Sequence, residues 1–159
     1  MIRKINTFTR HLSAVAISIV TIGIFSGAAL AETNVVVRMT TGSDDLRGGN
    51  NAYMTLNLES GASTSEVRLG GGFGQNSAVR RTATFRETVS LDQIRSITIR
   101  HDGSPRSGHP FDGYDNWDLQ RISVSLNGRN IYNSVNDPGR SRFVHRFTGN
   151  ARQIVLPRQ

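Results

Sequence analysis

Residues 41–51 combine acidic, amide and glycine residues in one short loop, a combination that could bind a metal ion. Asp44, Asp45, Asn50 and Asn51 offer side-chain oxygens. Calcium takes about six to eight oxygen ligands from carboxylates, amides and backbone carbonyls, and glycines let carbonyls turn toward an ion. The same residue types are also usual in plain turns. Two interpretations remain open for this loop, a calcium site and a turn.

A second polar loop, with Asp112, Asp115 and Asn116, could complete such a site. Its oxygens would join those of the first loop only if the two loops meet at the same end of the fold. Carboxylate and amide oxygens drawn from two loops suit the flexible coordination of calcium. We therefore treat Ca²⁺ as an optional cofactor, with Asp112 and Asp115 as further ligands.

Aromatic side chains near these loops could contact a ligand directly. Phe111 and Tyr114 lie in the loop before Trp117, and Phe73 lies in a GGGFG segment with little local core to join. We expect these three side chains to be exposed contacts, and burial of Phe73 under a neighbouring loop is the other interpretation. Trp117 could stack on a sugar ring or anchor at a membrane interface. However, the alternation places Trp117 on the same strand face as Leu119, which favours burial.

Arginines supply a further set of candidate binding residues. Arg140, Arg142 and Arg146 have even spacing late in the chain, which would place Arg142 and Arg146 on one face of a strand. A guanidinium group forms paired hydrogen bonds with phosphate or sulfate oxygens. Such a face could bind phosphate headgroups or sulfated glycans, and the other interpretation is a solvated strand face.

Catalytic chemistry has weaker support. A hydrolytic triad needs a nucleophile, a histidine and an acid in fixed geometry, and the chain has no cysteine and no Gly-x-Ser-x-Gly segment. His101 and His109 flank a glycine- and proline-containing loop with Ser104 and Ser107. Such a loop holds no catalytic geometry by itself. We predict that the chain is not an enzyme, and a small hydrolase built on this loop stands as a further hypothesis.

Two-residue periodicity of apolar side chains is far more frequent than helical periodicity, and it predicts short strands separated by glycine-rich turns. The pattern implies an all-β fold of about eight or nine antiparallel strands, arranged as a sandwich or a barrel. The predicted strands cover Val35–Thr40, 52–59, Thr64–Leu69, Thr82–Ser90, Arg95–Arg100, Asp118–Leu126, Asn130–Ser134, Arg142–Phe147 and Gln153–Leu156.

Three local signals refine this pattern. The alternation slips by one residue between Leu119 and Ile122, which predicts a β-bulge near Gln120 and Arg121. Asn127-Gly128 predicts a tight hairpin, because both of its turn positions need a positive φ. Leu91–Ile94 could form a single helical turn.

The N-terminal residues have the features of a secretory signal peptide. A basic start and an apolar stretch lead to Ala29-Leu30-Ala31, which matches the small-x-small cleavage rule. We expect cleavage near Ala31 and a secreted or periplasmic domain at 32–159. An uncleaved membrane anchor is the other interpretation. Three of the 19 basic residues and no acid precede the cleavage point, which leaves 16 arginines against 12 acids. The arginines are scattered, so no nucleic-acid partner is expected.

Two motifs resemble a known family. VVVRMTTGSDDLRGGNNAYMTLNL, at 35–58, and DNWDLQRISVSLNGRNIY, at 115–132, are similar to the PLAT/LH2 (lipoxygenase-homology) β-sandwich. Thr41-Gly42 and the Trp117, Leu119, Ile122, Val124 pattern correspond to motifs of that family. The chain also resembles small secreted bacterial proteins with DDLRGG, DNW and RFTG segments, here at 44–49, 115–117 and 146–149.

The resemblance implies a PLAT/LH2-like antiparallel β-sandwich that binds rather than catalyses. Members of that family commonly contact lipid surfaces or partner proteins, some with calcium. Loops 41–51, 70–76 and 101–117 would then form one contact surface, since rigid strands position variable loops. The expected partner is a membrane lipid surface or another secreted or envelope protein. A carbohydrate-binding module that uses Phe111, Tyr114 or Trp117 is the alternative, with a glycan as its partner.

Overall fold

The computed structural model describes residues 31–105 and 113–159, and its regular structure is almost entirely β. Two short 3-10 turns, Leu91–Gln93 and Ser134–Asn136, are the helical segments within these ranges. No helix in the described part of the chain is long and apolar enough to cross a membrane. The nine strands are β1 (Thr33–Thr41), β2 (Ala52–Leu58), β3 (Val67–Gly70), β4 (Ala78–Phe85), β5 (Ile94–His101), β6 (Trp117–Leu126), β7 (Arg129–Asn133), β8 (His145–Phe147) and β9 (Gln153–Pro157).

The strands form two antiparallel sheets. The first sheet has the order β4-β1-β6-β7, with β8 also paired to β6, and the second has the order β3-β2-β5-β9. Each sheet turns one face inward, and buried side chains from both sheets make a single core. The sequence prediction of an antiparallel β-sandwich is therefore confirmed.

The alternation that predicts the strands also sets the direction of their side chains. In β1, Val35, Val37 and Met39 are buried, while the residues between them face outward. Met54 and Leu56 of β2 and the isoleucines of β5 are buried in the same way. Burial of apolar area on both inner faces stabilises the sandwich by about 25 cal/mol per Å² removed from water.

The predicted local irregularities are confirmed. Thr40 pairs with Arg121 and Thr41 with Leu119, so Gln120 is the extra residue of a bulge. Asn127 and Gly128 have φ values of 51° and 76°, which join β6 to β7 through a tight turn. The helical turn expected at Leu91–Ile94 is the 3-10 turn at Leu91–Gln93.

Three strands differ from the prediction by three residues or more at one end. β3 begins at Val67 rather than Thr64, because its ladder with β2 begins at the pair of Met54 and Val67. β4 begins at Ala78 and ends at Phe85 because it pairs with β1 along that whole length. Arg81 occupies a position of β4 that has the same direction as the buried Ala83 and Phe85. This charged residue interrupts the apolar alternation in the sequence. β8 begins at His145 rather than Arg142, because the chain before it forms turns and joins β6 only when the Val144 amide donates to the Leu119 carbonyl, at 3.1 Å. Arg142 is therefore outside the strand.

Candidate functional site

Three glycine-rich loops meet at one end of the sandwich, as the sequence predicts. We call residues 42–51, 71–77, 102–105 and 113–116 the loop end. The Leu46 amide donates to the Phe73 carbonyl at 3.0 Å, which ties the first two loops together. The Asp102 amide donates to the Asn51 carbonyl at 3.1 Å, which attaches the third. These backbone bonds fix the loops against each other.

Two glycines allow the loops to approach this closely. A β-carbon on Gly71 would overlap the backbone carbonyl of Asn50. One on Gly103, whose φ is +51°, would overlap the ring of Tyr114. The glycines of the loop end therefore serve packing between loops at these positions.

Phe73 is buried, with 2 % of its surface exposed, so the expectation of an exposed contact is wrong. Its ring lies edge-on to Trp117, with centroids 6.2 Å apart. The guanidinium of Arg81 lies 5.2 Å from its centroid on the outer side. The loop carries Phe73 into the core because it bridges to the buried Leu46 of the neighbouring loop.

Trp117 is fully buried, which confirms its prediction as a core residue. Its ring stacks on Phe147 at 4.8 Å with an interplanar angle of 10°, and its Nε1 donates to Thr41 Oγ1 at 3.4 Å. A ring enclosed in this way cannot stack on a sugar, so its assignment as a binding residue is wrong.

Tyr114 is half-buried against the third loop. Its hydroxyl donates to the His101 carbonyl at 3.0 Å, and the Arg152 guanidinium lies 5.0 Å from its ring centroid. Burial raises the pKa of Tyr114 to about 12. The ring packs on Gly103, so Tyr114 stabilises the third loop and offers little exposed surface to a ligand. Phe111 and Asp112, the other candidates of this loop, lie outside the described residues.

His101 is buried between the two sheets, which the sequence analysis did not anticipate. Its ring lies edge-on to Trp117 at 5.8 Å and to Phe147 at 6.0 Å. Burial lowers the pKa of His101, and the Asp115 carboxylate, 3.7 Å from Nε2, opposes that effect. This imidazole is closed to solvent, so His101 does not offer a base to a substrate at the surface.

Arg146 lies between two carboxylates of the loop end. Its guanidinium donates to Asp44 Oδ2 at 2.7 Å and to Asp118 Oδ1 at 2.9 Å. Burial raises the pKa of Asp44, and the neighbouring carboxylates of Asp118, Asp115 and Asp45 raise it further, while Arg146 lowers it. Arg146 is thus an internal counter-ion for an acidic cluster.

The predicted strand face of arginines does not form. Arg142 is exposed in the turn before β8, whereas Arg146 is in the strand and bound to carboxylates. The Nε of Arg140 lies 3.9 Å from Asp137. The prediction that these side chains share one anion-binding face is therefore wrong.

Two further calcium candidates, Asn51 and Asp115, are paired with other side chains of the protein. Asn51 donates through Nδ2 to Asp102 at 3.2 Å and accepts from the Nε of Arg68 at 2.6 Å. Asp115 lies 3.3 Å from the Nε of Arg47. Asn50 is buried, and its carbonyl packs against Gly71.

Within residues 31–105 and 113–159, no group of three or more acidic or histidine side chains is placed to hold a metal ion. Guanidinium groups already neutralise Asp44, Asp115 and Asp118. In this arrangement the described loop residues do not fit a calcium site.

Comparison with known proteins supports the fold. No protein-family model matches the chain, and no curated protein matches it. Solved structures do match, and Clostridium absonum alpha toxin covers 81 % of the chain at 15 % identity with a TM-score of 0.58. Coral 8R-lipoxygenase, described with calcium activation through a C2-like domain, covers 79 % at 14 % identity and 0.51. A LOX variant in complex with arachidonate covers 80 % at 17 % identity and 0.54.

The chain has a PLAT/C2-like β-sandwich fold. The chain spans 32 % of the length of the toxin, 17 % of the coral lipoxygenase and 16 % of the LOX variant. The likeness therefore concerns one domain of much larger proteins.

Proposed function

We propose that this chain, after export, is a non-catalytic binding module that attaches to a lipid membrane surface. The observation that carries the proposal is the meeting of three loops at one end of a PLAT/C2-like sandwich. Backbone hydrogen bonds hold these loops in place on a rigid sandwich, so the surface that they form is preformed. A preformed surface loses little conformational entropy on binding.

The side chains of the loop end support attachment in preference to turnover. His101 is enclosed by aromatic rings, and the carboxylates of Asp44, Asp115 and Asp118 are paired with arginines. Acid–base catalysis needs a titratable group within hydrogen-bond reach of the substrate. Asp44, Asp115 and Asp118 are instead paired within the protein.

Phe143 supplies an apolar contact beside the loop end. It is 43 % exposed and precedes Val144, whose amide donates to Leu119 near the start of β6. β6 begins directly after the third loop. Insertion of this apolar ring among lipid chains would remove its exposed area from water, which is favourable. We assign Phe143 as a membrane contact.

Calcium has a limited place in this proposal. Coral 8R-lipoxygenase is described with calcium activation through its C2-like domain. In the present chain, a cation at Asp44 and Asp118 would compete with Arg146. Calcium-assisted binding would therefore be weak, and calcium-independent binding is the expected behaviour.

Co-sedimentation of residues 32–159 with lipid vesicles tests the proposal. We expect binding to vesicles containing phosphatidylglycerol, both with calcium and with a chelator. Phe143→Ser should weaken this binding several-fold, because it removes the aromatic area that the membrane would bury. Val155→Ser is the matched control, since Val155 is 49 % exposed but lies on β9 of the other sheet.

Absence of binding to every vesicle composition would overturn the membrane proposal. Retention on an immobilised protein partner without vesicle binding would instead support a protein-interaction module. Equal loss of vesicle binding in both variants would show that Phe143 makes no specific contact.

A further inference from the structure

A groove on the outer face of the first sheet contains three arginines. It has a volume of about 500 Å³, and its lining includes Arg38 of β1, Arg80 of β4 and Arg121 of β6. All three side chains are exposed. Ser123 of β6, Asn133 of β7 and Val135 also line the groove.

The strand register places these arginines in a triangle. Arg38 pairs directly with Arg80 across β1 and β4. Arg38 also pairs with Ser123 of β6, which puts Arg121 at the diagonal position. Side chains directly opposite each other lie about 5 Å apart at their β-carbons, and diagonal pairs about 7–8 Å. Three guanidinium groups can therefore converge on one compact anion.

No acidic side chain of the described residues neutralises this cluster. Within the described residues, none of the three arginines forms an ion pair. Asp118 is the single acidic residue in the five strands of the first sheet, and it is buried against Arg146. Like charges directly opposite each other destabilise a sheet. The arrangement carries a cost in stability that an anionic ligand would offset.

We propose that this groove binds the phosphate group of an anionic phospholipid. Guanidinium groups form paired hydrogen bonds with phosphate oxygens, and three of them match the several oxygens of one phosphate. The Oδ1 of Asn133 accepts from the Val135 amide, which leaves its Nδ2 as a further donor in the lining of the groove. The triangle fits one anionic group better than an extended polyanion, which would need a row of charges.

The position of the groove connects it to the membrane, and this step rests on the proposed function. Arg38 is three residues before the end of β1 at Thr41, and Arg80 is two residues after the start of β4 at Ala78. Both strand ends join the loop end, so groove and loops can face the same surface. Val135, 59 % exposed, lies at the groove and offers an apolar contact to the lipid beside the headgroup.

The test compares two variants with the same change in net charge. The first is Arg38→Gln/Arg80→Gln/Arg121→Gln, and the second is Arg86→Gln/Arg95→Gln/Arg129→Gln, whose arginines are exposed outside the groove. Binding of residues 32–159 is measured on vesicles of phosphatidylglycerol with phosphatidylcholine, on phosphatidylcholine alone, and on a sulfated polysaccharide. Inorganic phosphate serves as a competitor.

We expect the groove variant to lose vesicle affinity by on the order of a hundredfold, since each arginine near an anionic surface contributes roughly fivefold. The control variant should lose far less, and high salt should weaken the wild type. Arg80→Gln alone should raise the melting temperature while it weakens binding, because it relieves the repulsion from Arg38. That opposite change separates a ligand site from a structural cluster.

Equal binding of the groove variant and the control would overturn the inference and leave the membrane proposal intact. Wild-type binding that is equally strong on phosphatidylcholine alone would do the same. Wild-type binding to no vesicle would overturn both proposals. If the groove variant loses binding to the sulfated polysaccharide only, the lipid assignment is also overturned, because the ligand would then be a glycan.

Discussion

Arg146 shows how one side chain can take the place of a metal ion. Its guanidinium bridges Asp44 of the first loop and Asp118 of β6, which lie 102 and 28 residues away in the chain. A divalent cation between two carboxylates would link the same two elements. The acidic residues that suggest calcium in the sequence are therefore held together by the guanidinium of Arg146, a cation that belongs to the chain itself.

Substitution of Arg146 by Gln should expose this role. We expect the free energy of unfolding to fall by about 1–3 kcal/mol, because Asp118 stays buried without its charged partner. Calcium at millimolar concentration should then raise the melting temperature of Arg146→Gln more than that of the wild type. Scanning calorimetry with calcium and with a chelator measures both effects.

Arg142→Gln is the control, since Arg142 is exposed and forms no ion pair within the described residues. It should leave stability unchanged in both conditions. An identical calcium response in Arg146→Gln and the wild type would contradict the counter-ion role of Arg146.

At the scale of elements, the loop end depends on close contact between loops. The first loop and the GGGFG segment meet where Leu46 and Phe73 form a β-bridge, directly beside Gly71 and Asn50. The small size of the glycine lets Phe73 reach the core. A larger residue at this point would separate the two loops.

Gly71→Ala should therefore destabilise the chain by about 1–3 kcal/mol, because the added methyl group overlaps the Asn50 carbonyl and forces a backbone shift. Gly74→Ala is a matched control, as a β-carbon there meets nothing within 4 Å. Denaturant unfolding of both variants measures the difference. Similar midpoints for the two variants would show that the loops adjust without cost.

At the scale of the whole molecule, His101 connects the two sheets. It belongs to β5 of the second sheet, and its ring contacts Trp117 and Phe147 of the first. Its environment exists only while the sandwich is intact. Protonation of His101 is consequently linked to global unfolding.

Burial lowers the pKa of His101 in the folded chain, so the unfolded chain binds a proton more readily. Stability should be complete above the unfolded pKa of about 6.5 and should fall as the pH drops below it. Trp117, the single tryptophan of the chain, reports unfolding by fluorescence. Unfolding midpoints between pH 7.5 and pH 5.5 measure the slope.

His101→Gln should flatten this slope although it lowers stability at every pH. A residual slope is expected from His145, whose pKa burial also lowers. His145→Gln distinguishes the two histidines. An unchanged slope in His101→Gln would contradict the link between this ring and unfolding.

Much of the fold could be predicted from local patterns. Alternation over a few residues identifies strands such as β1, β2 and β6, because a strand has the same two-residue period wherever it lies. Asn127-Gly128 and the slip at Gln120 are equally local, since they depend on backbone conformation at one or two residues. β4 was placed less well, because its bounds depend on its partner β1.

The candidate site was predictable only in outline. The gathering of the loops at one end follows from the strand pattern, but the direction of Phe73 does not, since it depends on a neighbouring loop. The groove of Arg38, Arg80 and Arg121 was missed. Each of these arginines is an ordinary outward residue of its own strand. The sequence offers one signal only, which is that each arginine occupies an outward position in the two-residue alternation of its strand.

The amino-acid sequence by itself determined the all-β class, most strand positions and the tight turns, because periodicity and backbone preference act between near neighbours. The tertiary structure alone decided which charges meet. Arg146 reaches Asp44 across 102 residues, and Arg38 faces Arg80 through a register set by the sheet. Pairings of this kind depend on strand order, which arises from packing over the whole chain.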